Sequence, residues 1–236
     1  MKLAIMQPYF FPYIGYFSLI EYADKFVFFD TPQYISRGWI NRNRILTLNG
    51  EPTYITVPVE KAPQETPIRE IMIDNSKDWR GRIYGQLSAY KRRAPRYSIT
   101  EAIVHDVLDG FKGNGLSELS IRTVKMMSDI LGLKCEYGIF SGMKENIVEV
   151  KKPDEWALEI SKALEADVYV NPPGGMSFFD RDKYRNAGIE IKFLQSNLRP
   201  YRQRIGQWVP ALSVIDVLMF CDEREVTDML KDYALL

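Results

Sequence analysis

The sequence predicts an α/β fold, a Rossmann-like and mostly parallel sheet flanked by helices. Three observations carry the prediction. A short apolar run (Leu3–Met6), a helical segment (Tyr13–Ala23) and a second apolar run (Phe26–Phe29) follow in quick succession. That crossover is too long for a hairpin, so the two strands run parallel. A second strand–loop–helix–strand unit occupies residues 167–194. Between the two units lie three consecutive helical patterns, from Lys77 to Leu131. The chain has no linker, repeat or low-complexity stretch, so these helices read as an insert within one domain of residues 1–236.

Each element follows from local chemistry. Pro8 and Pro12 forbid a helix before Tyr13, which makes Gln7–Pro12 a loop. The helix after it carries Ile14, Phe17, Leu19, Ile20 and Tyr22 on a broad apolar face, and Asp24 and Lys25 end it. The next strand stops at Asp30, and the residues through Asn43 read as a loop. Thr53–Val59 is rich in strand formers, with Pro58 marking an edge or end. Ile68–Ile73 alternates and reads as a further strand. Asp74, Asn75 and Ser76 offer a cap for a helix over Lys77–Lys91, whose Trp79, Ile83, Leu87 and Tyr90 share one face. Helices are also predicted over Ile99–Phe111 and Ser117–Leu131, the latter closed by Gly132. Cys135–Phe140 reads as a strand, and Asp154 caps a helix that reaches Leu164. Asp167–Val170 is a buried strand, a short helix runs from Asp180 to Ala187, and Ile189–Leu194 is the last strand. Leu212–Phe220 and Val226–Leu236 read as helices. The second has Met229, Leu230, Tyr233 and Leu236 in step, a candidate interface, and the sequence leaves the oligomeric state open.

Charge and composition narrow the function. Lys plus Arg and Asp plus Glu are 31 each, so the net charge is zero. That argues against a general electrostatic grip on nucleic acid or an anionic membrane. The one dense basic cluster, Lys91, Arg92, Arg93 and Arg96, reads either as a solvated helix end or as a phosphate clamp. Cys135 and Cys221 sit far apart in apolar settings and read as core residues. With His105 as the only histidine, a His-based zinc site is excluded. A carboxylate site for Mg²⁺ stays open, and the sequence names no cofactor. No run approaches the ~18 apolar residues of a membrane span. The N-terminal apolar run is broken by Pro8, unlike a signal peptide. A soluble, cytoplasmic chain is expected.

Ligands of such sheets sit at the carboxyl ends of the strands. Gln7 and Asp30 lie at two of those ends, and Gln33, Trp39, Asn41, Arg42 and Asn43 follow on the adjoining loop. Packing asks for most of the aromatic residues there, but not for these polar ones. Asn171-Pro172-Pro173-Gly174-Gly175 occupies another strand end. Its glycines permit positive φ and close approach of backbone N–H groups to a ligand. Asn171 both donates and accepts. Turns use the same residues, so the position carries the argument. Arg199 and Gln203 follow the next strand, and Arg suits bidentate recognition of carboxylate or phosphate. Asp216, one helix later, reads as a general base or as a partner holding Arg199 or Arg202. His105, in mid-helix beside Asp106, reads as surface before it reads as catalytic.

No Ser-His-Asp set, Cys-His pair, Walker loop or Gly-x-Gly-x-x-Gly follows a strand. What remains is a crevice of amides, arginines, tyrosines and one or two carboxylates. It suits a transferase that positions two substrates and stabilises developing charge. A binding protein without turnover and a scaffold for other enzymes are the other readings.

The stretches QPYFFPYIGYFSLI, FVFFDTPQY and WINRNRI resemble the opening of the WbqC-like protein family of bacterial O-antigen and surface-polysaccharide biosynthesis. YVNPPGGMSFFD, IEIKFLQ, RPYRQ and PALSVIDVLMF extend the resemblance across essentially the whole chain. It implies an acyl or aminoacyl transfer, of glycine for example, to the amine of a nucleotide-linked sugar. Asp30 or Asp216 would then accept the proton. Asn41, Asn171 and the Gly174 and Gly175 backbone would hold the oxyanion, and Arg42 and Arg199 would bind phosphates. The chain departs from the family at Cys221, where Asn is expected, and at Phe179, where Tyr is usual. A fainter likeness is to nucleotidylyltransferases, which carry His-x-Gly-His where this chain has Tyr13-Ile14-Gly15-Tyr16. With both histidines absent, that likeness implies nucleotide or phosphate binding without adenylyl transfer.

Overall fold

The apolar run near the N-terminus becomes the middle of the molecule. In the computed structural model, which describes residues 1–143, 147, 150, 152–204 and 206–236, it forms β1 (Lys2–Met6). β1 pairs in parallel with β2 (Lys25–Phe28) on one side and with a later strand, β6 (Val168–Asn171), on the other. β5 (Glu136–Ile139) lies outside β2, and β7 (Glu190–Ser196) outside β6. β8 (Tyr233–Leu235) adds an antiparallel edge to β7. The strand order is therefore β5-β2-β1-β6-β7-β8. The chain winds outward from β1 in one direction, then returns to β1 and winds outward in the other. The place where the direction reverses, between β1 and β6, is where open α/β sheets bind ligands.

Strand alternation sends alternate side chains to two cores. Ala4, Phe26, Phe28, Val170 and Leu194 face α1 (Ile14–Tyr22) and α7 (Val214–Phe220). Leu3, Ile5, Val27, Tyr169 and Phe193 face α5 (Trp156–Ala163) and α6 (Arg181–Asn186). α1 is buried from Ile14 through Ile20, all the way round, because its sequence is apolar all the way round. Each fully buried ring such as Phe17 contributes about 1.5–3 kcal/mol.

The segment between β2 and β5 covers the α1 face. It begins with a separate antiparallel hairpin, β3 (Arg42–Leu46) and β4 (Pro52–Thr56). The loop expected through Asn43 thus ends as a strand. Its buried positions include Asn41 and Asn43, so hydropathy does not reveal the alternation. The strand expected over Ile68–Ile73 is a 3-10 turn, Ile68–Glu70, leading into isolated bridges. Ile68 and Ile71 are both buried, a spacing of three that fits the turn and not a strand.

The three helices of the insert are present as α2 (Trp79–Leu87), α3 (Tyr97–Asp109) and α4 (Leu116–Ile130). Asp78 caps α2 through Gly81 N–H, and Gly132 takes φ 68° after α4.

The helix expected over Val226–Leu236 is shorter. An Asp222–Glu225 capping box starts α8 (Glu223–Leu230), and the chain then extends into β8, so Ile189–Leu194 does not contain the last strand. No helix among the described residues is long and apolar enough to cross a membrane.

Candidate functional site

An open cavity of about 810 Å³ lies at the carboxyl ends of β1, β2 and β6. It sits at the switch point and has the size of a small-molecule site. The end of β1 and its loop contribute Met6, Gln7, Tyr9 and Tyr13. The end of β2 contributes Phe29 and Thr31, and the hairpin contributes Trp39, Asn43 and Arg44. Trp156 comes from α5. Asn171, Gly174, Gly175, Phe178 and Phe179 come from the loop after β6. The walls are aromatic and aliphatic with a few amides and hydroxyls. Among the described residues Arg44 is the only charged side chain on them, and no Asp, Glu, His or Cys joins it.

The loop after β1 is fastened from three directions. The Tyr16 hydroxyl donates to the Gln7 carbonyl at 2.9 Å. The Phe11 amide donates to Thr123 Oγ1 of α4 at 3.2 Å, and Ser213 Oγ donates to the Phe11 carbonyl at 2.8 Å. Phe11 has φ 40°, a left-handed backbone uncommon for a bulky residue. The two bonds and full burial of its ring hold that geometry. The Tyr13 ring lies over Gly15, where a Cβ would come within 2.5 Å of it. Glycine is needed there for room. Burial raises the Tyr13 hydroxyl above its ordinary pKa. Burial, then the neighbouring Tyr13, does the same for Tyr9. Both hydroxyls therefore stay protonated at neutral pH.

The loop after β6 is oriented from inside the sheet. The Tyr169 hydroxyl donates to Asn171 Oδ1 at 3.0 Å, and Asn171 Nδ2 donates to the Pro172 carbonyl at 2.9 Å. Pro173–Gly175 is a 3-10 turn, and neither glycine has a positive φ. The expectation of left-handed glycines is corrected by a different requirement. A Cβ on Gly175 would lie 2.4 Å from Asn171 Nδ2 and 2.9 Å from the Phe179 ring.

The cavity gathers Gln7, Trp39, Asn43, Asn171, Gly174 and Gly175 from the expected site residues, and leaves the others elsewhere. Asp30 is turned away from the cavity that its neighbours Phe29 and Thr31 line, and is 3% exposed. Its Oδ1 accepts from Ser141 N–H at 3.0 Å and its Oδ2 from Ser141 Oγ at 2.6 Å. Asp216 is fully buried and accepts from Tyr90, Tyr201 and Gln203. Burial raises its pKa, against the opposing pull of those hydrogen bonds. Neither carboxylate faces the cavity, and Asp216 holds tyrosines where arginines were expected.

Gln203 bonds to Asp216 and to both backbone groups of Val209. Arg199 lies 3.9 Å from Asp232 beside a separate small hollow. Gln33 donates to the Gln64 carbonyl, and Asn41 donates to the Val57 carbonyl. Arg42 donates to the Gly38 and Arg37 carbonyls and stacks 4.2 Å from the Tyr54 ring centre. The arginine on the cavity wall is instead Arg44, two residues on. The sequence does hold a signal for it: on a strand, positions two apart share a face. Recognising that signal requires β3, which its buried asparagines conceal. Among the described residues no three His, Cys, Asp or Glu side chains gather into a metal-binding group.

The WbqC-like protein family matches residues 7–228. A Mycobacterium tuberculosis protein, Rv1507c, described as uncharacterized, is 30% identical over 226 residues, 92% of each chain. No solved structure matches. The family match takes in both cavity loops, the hairpin and the helices that fasten them, and the chain belongs to the WbqC-like protein family.

Proposed function

We propose that this chain binds a nucleotide-linked amino sugar in the switch-point cavity and transfers an acyl or aminoacyl group to its amine. The observation that carries the reading is the cavity itself. It stands at the strand ends where doubly wound sheets hold nucleotides, with aromatic walls and a few convergent amides. Surface-polysaccharide biosynthesis, the setting suggested by the family resemblance, supplies the substrate class and a cytoplasmic location.

The absence of Asp, Glu, His and Cys from the walls, among the described residues, fits an amine nucleophile, which attacks through its own lone pair. Its nitrogen bonds to the acyl carbon, the bond from that carbon to its carrier breaks, and the amine proton leaves with the departing group. Catalysis is then by positioning and charge stabilisation. Gln7, Asn43 and Asn171 are the donors nearest that task, and Asp30 and Asp216 act by holding the scaffold.

The test is a thermal-shift panel of nucleotide-linked sugars, followed by mass spectrometry of the stabilising ligand with activated amino acids. A ligand at about 100 times its dissociation constant adds about 2.7 kcal/mol. Selective stabilisation and a mass gain on the sugar amine support the reading. The same lining favours one alternative, a binding protein without turnover. It predicts the stabilisation and no mass gain under any donor.

A further inference from the structure

We infer that Arg44 forms an oxyanion subsite in the cavity that receives the diphosphate of a nucleotide ligand, an inference that rests on the proposed nucleotide-linked substrate. Arg44 is a cation without a counter-ion. It stands on a largely apolar wall, and no carboxylate among the described residues lies within ion-pair distance of it. Its hydrogen bonds run from Nη2 to the carbonyls of Pro210 and Ala211, at 3.4 and 3.2 Å. Those bonds fix the guanidinium in place and leave its charge uncompensated. Its Nε is wholly buried with no hydrogen-bond partner.

A buried donor left unsatisfied costs about 1–3 kcal/mol, and more when it carries charge. The buried Nε lies out of a ligand's reach, but Arg44 is half-buried and lines the cavity, so an oxyanion there meets the accessible part of the guanidinium and compensates its charge. Several further features bear on the same place. The Trp39 ring, at the cavity rim, lies 5.8 Å from the Arg44 guanidinium. Asn43 is next in sequence and shares the wall, and its Oδ1 is already spent on the Arg44 amide at 2.8 Å. Arg42, which makes the same kinds of contact, two carbonyls and the Tyr54 ring, but does not line the cavity, is the internal control.

A diphosphate is favoured over a carboxylate by position. Arg44 and the loop after β6 line one cavity at the strand ends, where doubly wound sheets hold nucleotides, so a nucleotide bound there has its phosphates in the same cavity as Arg44.

The experiment uses the full chain with inorganic pyrophosphate, acetate, nucleoside diphosphates and nucleotide-linked sugars. Calorimetry measures affinity for the wild type, Arg44→Met, Arg44→Lys and Arg42→Met. In parallel, phenylglyoxal labelling of the wild type, mapped by mass spectrometry, reads protection of each arginine without any substitution. The expected result is pyrophosphate binding that protects Arg44, falls at least tenfold in Arg44→Met, falls less in Arg44→Lys, and is unchanged in Arg42→Met.

Binding of acetate in place of pyrophosphate overturns the inference, as does the absence of any Arg44 protection. A nucleotide-linked sugar bound equally by wild type and Arg44→Met also overturns it, while leaving the proposed function standing. Pyrophosphate bound through Arg44 with no nucleotide-linked sugar bound at all has the opposite meaning: the subsite stands and the proposed substrate falls.

Discussion

The Tyr90 hydroxyl accepts the Leu46 backbone N–H at 2.7 Å and gives its own proton to Asp216. The bond joins the hairpin, the end of α2 and α7 in one chain of donors. Tyr201 and Gln203 complete it from the segment after β7. Tyr90→Phe leaves a buried N–H without an acceptor and a buried carboxylate short of a donor. The expected cost in urea unfolding is about 1–3 kcal/mol. Tyr84→Phe removes a hydroxyl bond to Asp109 at the surface, and its cost is expected to be smaller. Equal losses at the two sites would show that the buried chain has no special weight.

The same carboxylate makes stability depend on pH. Burial raises its folded pKa above the unfolded value of about 4. As pH rises between the two values, the unfolded chain has released its proton and the folded chain has not. The unfolded state binds fewer protons, so this group's stabilisation, complete below about pH 4, is lost as pH climbs through the folded value. Asp216→Asn cannot titrate. It is less stable than wild type because the amide meets three donors. That deficit should be largest at low pH and should narrow as pH rises. A deficit that widens instead would mean that the hydrogen bonds outweigh burial and the pKa is lowered.

Two neighbouring glycines should respond differently to the same substitution. Gly175→Ala forces a methyl against Asn171 Nδ2 and the Phe179 ring, whereas Gly174→Ala meets nothing within 4 Å. Overpacking of this kind costs about 1–3 kcal/mol. Gly175→Ala should lower the thermal midpoint and weaken any cavity ligand, while Gly174→Ala leaves the thermal midpoint within error. Similar behaviour of the two would contradict the close approach at Gly175.

Asp30 should behave as a structural residue. Asp30→Ala removes both acceptors of Ser141, and Ser141→Ala removes only the hydroxyl. We expect a loss of about 1–3 kcal/mol for the first, a smaller loss for the second, and a coupling energy between them in a double-mutant cycle. Strict additivity would sever the connection from the end of β2 to the turn after β5.

Much of this architecture is legible in the sequence because its signals are local. Apolar runs broken by prolines mark β1 and β2, and a β-loop-α-β pattern marks the second half of the sheet. From these the carboxyl ends of the strands follow, and with them Gln7 and Asn171, whereas the switch point needs the strand order. What stays hidden is set by neighbours distant in sequence. Asp30 sits at the right strand end, but alternation turns it from the cavity toward Ser141. Arg42 and Arg44 share a face of β3 and separate only by their place along it, Arg42 against the Arg37 and Gly38 carbonyls and the Tyr54 ring, Arg44 on the cavity wall. The helical spacing holds at Met229 and Leu230 in α8 and stops before Tyr233, which pairs with β7, a contact no local pattern announces.

The left-handed backbone at Phe11 has a consequence for how the molecule is made. The residues that fix it, Thr123 and Ser213, lie 112 and 202 positions further along the chain. Contacts so remote close late, because the entropy of ordering the intervening chain must be met first. On a ribosome the loop after β1 stays unfastened until Ser213 has emerged, 202 residues after Phe11. The interior in which a ligand would sit is therefore among the last parts of the protein to take shape. Nascent chains halted before Ser213 should expose this loop to protease even where β1 and β2 have already paired.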